Sequence, residues 1–251
     1  AADGWLGSVD LAGVDGVTPR LAAPLTGWRG RIELGRGQLT LRRVSGRLGG
    51  ASLDLDGQLT GLGAGRRPDV DLRLATSGLS PLALRPLLPA RWQPRAATGG
   101  VSGELRLRGA PGAMNAAGRL TLPALTLAQG RLLGGRTEFD LRLGTTVTGW
   151  ADLREVGLST PRIGLPLTAV SGRLELAGGE VIARALRGRL GGDALRVEGR
   201  VRQDLSHFDL LLDAPDVDLG RTLLATASSA LAARGRAGAR RRLAGSPKRF
   251  R

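Results

Sequence analysis

The sequence predicts an all-β chain, an elongated antiparallel meander of about a dozen short strands, and three observations carry that expectation. Apolar residues recur at every second position, Gly and Pro punctuate these runs at short intervals, and one stretch of the pattern occurs twice. Period two is the strand period, because successive side chains of an extended chain point to opposite faces. Leu is a good helix former, but a helix would scatter these residues around its circumference and leave no apolar face.

In chain order the alternating pairs are Ile32 and Leu34, Leu39 and Leu41, Leu53 and Leu55, Leu72 and Leu74, and Leu105 and Leu107. They continue with Leu120 and Leu122, Leu125 and Leu127, Leu141 and Leu143, Leu174 and Leu176, Leu195 and Val197, and Leu210 and Leu212. In all but the last pair a polar residue stands between, so each strand carries one apolar and one polar face. Gly35-Arg36-Gly37, Gly49-Gly50, Gly61-Leu62-Gly63-Ala64-Gly65, Gly109-Ala110-Pro111-Gly112, Gly134-Gly135, Gly178-Gly179 and Gly191-Gly192 read as hairpin turns, where residues tolerating a positive φ are needed.

Two places break the alternation. Ser80–Pro89 carries Pro81, Pro86 and Pro89, which limits it to a short helical turn. In Val217–Leu231, Leu219, Leu223, Leu224, Ala227 and Leu231 recur at helical spacing, with Asp216 or Asp218 as N-cap, and predict a helix over 217–233.

Residues 18–59 match residues 160–201 without a gap at an offset of 142, with 19 identities over 42 positions. Shared Thr-Pro-Arg, Pro-Leu-Thr and Gly-Arg-Leu-Gly-Gly strings in one register mark a duplication, the signature of a repeat array. The expected organisation is a first β-repeat with a short helical end over 1–89 and a linking meander over 90–148. A second repeat with a C-terminal helix follows over 149–233, then a basic tail over 234–251.

The formal charge of +15 comes from 37 Lys+Arg against 22 Asp+Glu, and it is unevenly placed. Nine basic residues and no acid follow residue 220, so the preceding part holds 28 basic against 22 acidic residues. The tail reads as disordered and cationic; binding to anionic lipid headgroups and binding to nucleic acid are its alternative readings. Nucleic acid is disfavoured, because no aromatics interleave with the basic residues. The start, Ala1-Ala2-Asp3-Gly4-Trp5, lacks Met, and the chain reads as a segment whose membrane anchor lies elsewhere.

Enzymatic chemistry has little to work with. One His and no Cys leave no zinc ligand set, no thiol nucleophile and no disulfide. In Ser206-His207-Phe208-Asp209 adjacent residues of a strand point to opposite faces, which excludes a triad. Asp213, Asp216 and Asp218 miss the calcium-loop spacing, with Pro215 among them. Gly61–Arg66 lacks the Gly-Lys-Ser/Thr ending of a phosphate loop. No catalytic residue, metal or cofactor is expected.

Leu167–Val201, with Ser-Gly-Arg-Leu-Glu-Leu and Leu-Arg-Gly-Arg-Leu-Gly-Gly-Asp-Ala-Leu-Arg-Val-Glu-Gly, then Asp209–Leu224, resemble the AsmA/TamB superfamily of bacterial envelope proteins. Leu25–Leu59 and Gly103–Leu122 resemble it too, the latter in its step of strand, Gly, x-Pro and strand. The resemblance covers roughly residues 5–225 through degenerate patterns of small and apolar residues. It implies a half-open, taco-like β-groove with an apolar interior, lined by the alternating pairs from Ile32 to Leu212 named above other than Leu125 and Leu127. It further implies a place in the periplasm, an inner-membrane anchor in the full-length protein, and conduction of phospholipid acyl chains between inner and outer membranes. The alternative is a chaperone-like repeat that assists outer-membrane protein assembly, together with its assembly factors, by strand pairing; nucleic-acid binding through the tail is a third reading.

Overall fold

A computed structural model describes residues 6–18, 21–63, 67–87, 93–127, 130–159, 165–203, 206–218 and 236–245. Among them stand fifteen β-strands, one 3-10 turn over Arg85–Leu87 and no α-helix. The chain divides into two compact units, Ala1–Pro123 with Asp140–Thr145, and Ala124–Phe139 with Thr146–Arg251.

The first unit holds β1 (Gly7–Gly16), β2 (Leu25–Gly35), β3 (Gln38–Leu48), β4 (Ala51–Thr60), β5 (Asp69–Leu79), β6 (Ala96–Thr98), β7 (Val101–Gly109) and most of β8 (Met114–Leu127). Its strands neighbour one another in the order β1-β2-β3-β4-β5-β7-β8, with the short β6 beside β8. The second unit holds most of β9 (Gly130–Leu143), then β10 (Val147–Ser159), β11 (Leu167–Ala177), β12 (Glu180–Leu190), β13 (Asp193–Arg202), β14 (Phe208–Asp218) and β15 (Arg236–Gly245), neighbours in chain order. The registered pairs are antiparallel, and within each unit the order is an open path that does not close into a barrel.

The duplication is visible residue by residue. β11, β12 and β13 begin and end 142 residues after β2, β3 and β4. Gly7 opposite Leu34 and Leu11 opposite Gly30 recur as Gly149 opposite Leu176 and Leu153 opposite Gly172, each followed by a break in register. Left-handed backbone recurs as well: Gly13 and Gly27 are matched by Glu155 and Ala169, with φ of 54° and 52°.

Several glycines read as turns do serve as turns, at 35–37, 49–50, 109–112, 178–179 and 191–192. Gly134 and Gly135 do not: they lie inside β9. Leu125 and Leu127, expected on a strand of their own, belong to the same fourteen-residue β8 as Leu120 and Leu122.

Three further expectations are corrected. The helical turn over 80–89 is a run of hydrogen-bonded turns, with the amides of Ala83, Leu84 and Arg85 donating to the carbonyls of Ser80, Pro81 and Leu82, and the 3-10 turn of Arg85–Leu87. The prolines withhold the amide donors that an α-helix requires; residues 88–89 lie outside the described residues. The helix over 217–233 begins instead as strand, because Asp216, Val217 and Asp218 end β14, and Pro215 sits at a register break where a missing donor is tolerated; residues 219–233 lie outside the described residues. The tail holds β15 over Arg236–Gly245, where disorder was expected. Its pairing along β14 satisfies the backbone groups that face that strand, and Arg236 and Arg240 stand opposite Asp218 and Asp213 in register; the rest of 234–251 lies outside the described residues.

Burial is shallow. Among the described residues no polar or charged residue is buried, and the buried apolar set is small. Its main cluster, in the first unit, joins Leu48, Ala51, Leu53, Leu79 and Ala83.

Candidate functional site

The registers turn separate alternating pairs into rows that cross whole sheets. In the first unit one row runs Val9, Ile32, Leu41, Gly57, Leu72, Leu107, Ala116, each opposite the next. Beside it runs Leu34, Leu39, Leu59, Val70, and on its other side Val44, Leu55, Leu74, Leu105. In the second unit Ala151, Leu174, Ala183, Gly199 and Leu210 form one row, Leu176, Val181, Val201 and Phe208 the next, and Leu186, Val197 and Leu212 a third. A one-residue slip between any two strands would put these residues on the other face, so every register agrees on which face is apolar.

Most of the expected lining residues therefore come together within their own unit. Leu53 and Leu195 stand apart, buried at 7% and 8% exposure opposite Gly46 and Gly188. Leu120 stands opposite Gly103; Leu122 is half-buried, and on β9 Leu141 and Leu143 are half-buried and alternate with exposed neighbours. Val9, Val44, Leu59, Val70, Val181 and Val201 complete the rows. A search for Leu-x-Leu misses them; Leu59, Val70 and Val201 share the parity of lining residues on their own strands, whereas Val44 lies three residues beyond Leu41, past a register break that sequence parity does not show.

Among the described residues each unit has one sheet, so no second described sheet packs on these rows within it. Ile32, Leu39, Leu41, Leu72, Leu105 and Leu107 are half-buried, and Val9, Leu34 and Leu62 are 52%, 40% and 38% exposed. Leaving such side chains wet forgoes roughly 1.5–3 kcal/mol each relative to full burial. The face is apolar, continuous across strands and open.

The opposite face is a lattice of ion pairs. Arg31 pairs with Asp10 at 2.9 Å and Arg42 with Glu33 at 2.9 Å; the second copy repeats both, as Arg173 with Asp152 and Arg184 with Glu175, each at 2.8 Å. Arg173 also lies 4.5 Å over the Trp150 ring. Asp71 accepts from Arg106 and Arg108, which holds its carboxyl below the usual carboxylate range, chiefly through the Arg106 hydrogen bond and against partial desolvation. Asp152 is lowered likewise, first by Arg173. A furrow of about 460 Å³ on this face is lined by Gln38, Thr40, Arg42, Gln58, Asp71 and Arg73 among others. Its groups are already engaged: Gln38 with Gln58, Arg42 with Glu33 and Arg73 with Glu104. Exposed pairs of this kind contribute up to about 1 kcal/mol each, and their consequence is to keep this face wet.

Among the described residues no three His, Asp or Glu gather to hold a metal ion, and no helix is long and apolar enough to cross a membrane. The carbonyl of His207 accepts the amide of Arg202 in the link before β14. Comparison of the chain with protein families, with characterised proteins and with solved structures finds no match. The apolar face is thus the feature from which a function has to be read.

Proposed function

We propose that this chain is a segment of an AsmA/TamB-like cell-envelope protein whose apolar sheet faces form a half-open groove that holds and conducts phospholipid acyl chains. The observation that carries this reading is the row structure: aliphatic side chains in cross-strand register, half-exposed, with no buried polar or charged residue among the described residues. An acyl chain of about sixteen carbons loses about 12 kcal/mol on leaving a bilayer, at about 0.8 kcal/mol per CH₂, and only a continuous apolar lining offsets that along a route. Rows that pass from strand to strand supply such a lining across the sheet. The proposed setting is the periplasm, with an inner-membrane anchor supplied by other parts of the protein.

Photo-crosslinking tests the proposal. A photoreactive residue at Leu41 or Leu107 is expected to capture phospholipid acyl chains in bacterial membranes, and one at Gln58 on the polar face is not. Mass spectrometry of the purified chain is expected to find bound phospholipid. A stable lipid-free monomer without capture at either apolar position overturns it.

One observation favours a second reading, strand pairing with outer-membrane proteins. Among the described residues β1 has a neighbour on one side only and nine of its ten residues are exposed, so this edge offers a ladder to an incoming strand. Crosslinks from Val9 dominated by β-strand clients, with no lipid captured at Leu107, would favour it.

A further inference from the structure

In the first unit the apolar face is open over one part and covered over another. Leu79 closes β5, and the turn that follows lays Ala83 and Leu84 against Leu48, Ala51 and Leu53, leaving Leu79 and Ala83 each 5% exposed. The segment before β2 joins this cover through Leu21 and Ala23, with Leu25 at the start of β2, and the amide of Ala22 donates to the carbonyl of Ala83 at 3.1 Å. Pro81 and Pro86 stop the covering turn from knitting itself into a helix, so it is held by short turns, apolar contacts, the main-chain bond from Ala22 and a long exposed bond from Arg85 Nε to Gln93 Oε1 at 3.5 Å.

Trp28 packs against the same cluster, its ring over Gly46, where a Cβ would stand 2.6 Å away. Its Nε1 is the one buried side-chain nitrogen or oxygen among the described residues that has no hydrogen-bond partner. A buried donor left unpaired costs free energy, and a native fold retains one for a reason. Packing does not require it: at the equivalent position of the second copy, 142 residues on, stands Val170, which is 7% exposed. The indole N–H is thus an addition peculiar to the first copy, set against the apolar cluster that the turn helps to close.

We propose that the turn Ser80–Leu87 is a displaceable cover over the groove, and that Trp28 beneath it is a subsite for the ester carbonyl of an acyl lipid, whose oxygen accepts the orphan N–H. This rests on the lipid-groove reading and adds to it a place where the headgroup end of the acyl chain stops. With the cover down, lipid is confined to the rows through Ile32, Leu41, Leu72 and Leu107. With the cover lifted, the path extends to Leu53 and Trp28.

Two single-tryptophan proteins separate the inference from the reading beneath it. One keeps Trp28 and carries Trp5→Phe, Trp92→Phe and Trp150→Phe; the other carries Phe at all four positions and Leu107→Trp. Ala22→Cys with Ala83→Cys, free of competing thiols because the chain has no Cys, locks the cover reversibly in both proteins. The probe is vesicles of phosphatidylcholine with brominated acyl chains, which quench indole on contact. Trp28 is expected to be quenched when the cysteines are reduced and protected when they are oxidised, while Leu107→Trp is quenched in both states. Trp28 emission independent of the lock, with Leu107→Trp quenched, overturns the cover; no quenching of Leu107→Trp overturns the groove itself. A second measurement needs no lock: Trp28→Phe in the otherwise unaltered chain is expected to weaken binding of the diester lipid several-fold and to leave its dialkyl ether analogue unchanged. An equal effect on both overturns the carbonyl subsite.

Discussion

Glycine has two roles in this chain, one at turns and one inside strands. The turn glycines follow from their place between alternating runs. Gly57 and Gly199, repeat equivalents, lie inside strands with φ of +139° and +134°, and a Cβ there would stand 2.1 Å from the carbonyl oxygen of Asp71 or Asp209 on the next strand. Strand twist at these points needs the missing side chain, and composition alone cannot separate this need from a turn. Position offers a signal, since Gly30, Gly103, Gly118 and Gly172 each precede a polar-apolar-polar-apolar run. Gly57→Ala and Gly199→Ala should each destabilise by about 1–3 kcal/mol in urea unfolding. Gly63→Ala, with open space and no positive φ, should stay within about 0.5 kcal/mol. Asp71 gives a prediction in pH. Its folded-state pKa is lowered, so its contribution is present above the unfolded carboxylate value and is lost as pH falls through the lower folded one. Asp71→Asn should therefore flatten the acid limb of the stability curve, by less than about 1 kcal/mol because the carboxylate is over a third exposed. A limb as steep as in the parent would refute this origin.

At the scale of the element, period two placed the strands, and the structure adds the registers. The face of Leu72 and Leu74 could be read from β5 alone, but that Leu72 meets Leu107 and Leu74 meets Leu105 depends on skipping β6. Nor did local pattern reveal β15. Arg236–Gly245 lacks an apolar alternation, and its strand conformation comes from the neighbouring edge of β14, a tertiary partner that no local window contains. Hydrogen exchange checks this pairing: amides within 236–245 should exchange more slowly than in an isolated peptide of the same sequence. Exchange at the free-peptide rate throughout would remove β15 from the sheet. The segment 80–87 forms no α-helix for a reason the sequence does contain, Pro81 and Pro86, but its packing against Leu48 and Leu53 could not be read there.

For the molecule as a whole, the candidate site was legible as a list and not as a surface. Alternation named most of the lining, the duplication showed that it recurs, and the +15 charge proved a poor guide, since acids answer arginines across the polar faces. Invisible from the sequence were the closed part under the proline turn and the unpaired indole within it. The residue-for-residue match between copies has a consequence for how such a chain changes length. Residues 36–177 make up one offset of 142, and removing them would join Gly35 of β2 to the Gly178-Gly179 turn and β12. The new neighbours would inherit ready-made partners, for Leu25 opposite Leu48 and Leu167 opposite Leu190 are one register written twice. Unequal recombination between copies can thus delete or add a whole period with every hydrogen-bonding ladder intact, whereas most insertions of other lengths would have to be absorbed in a loop.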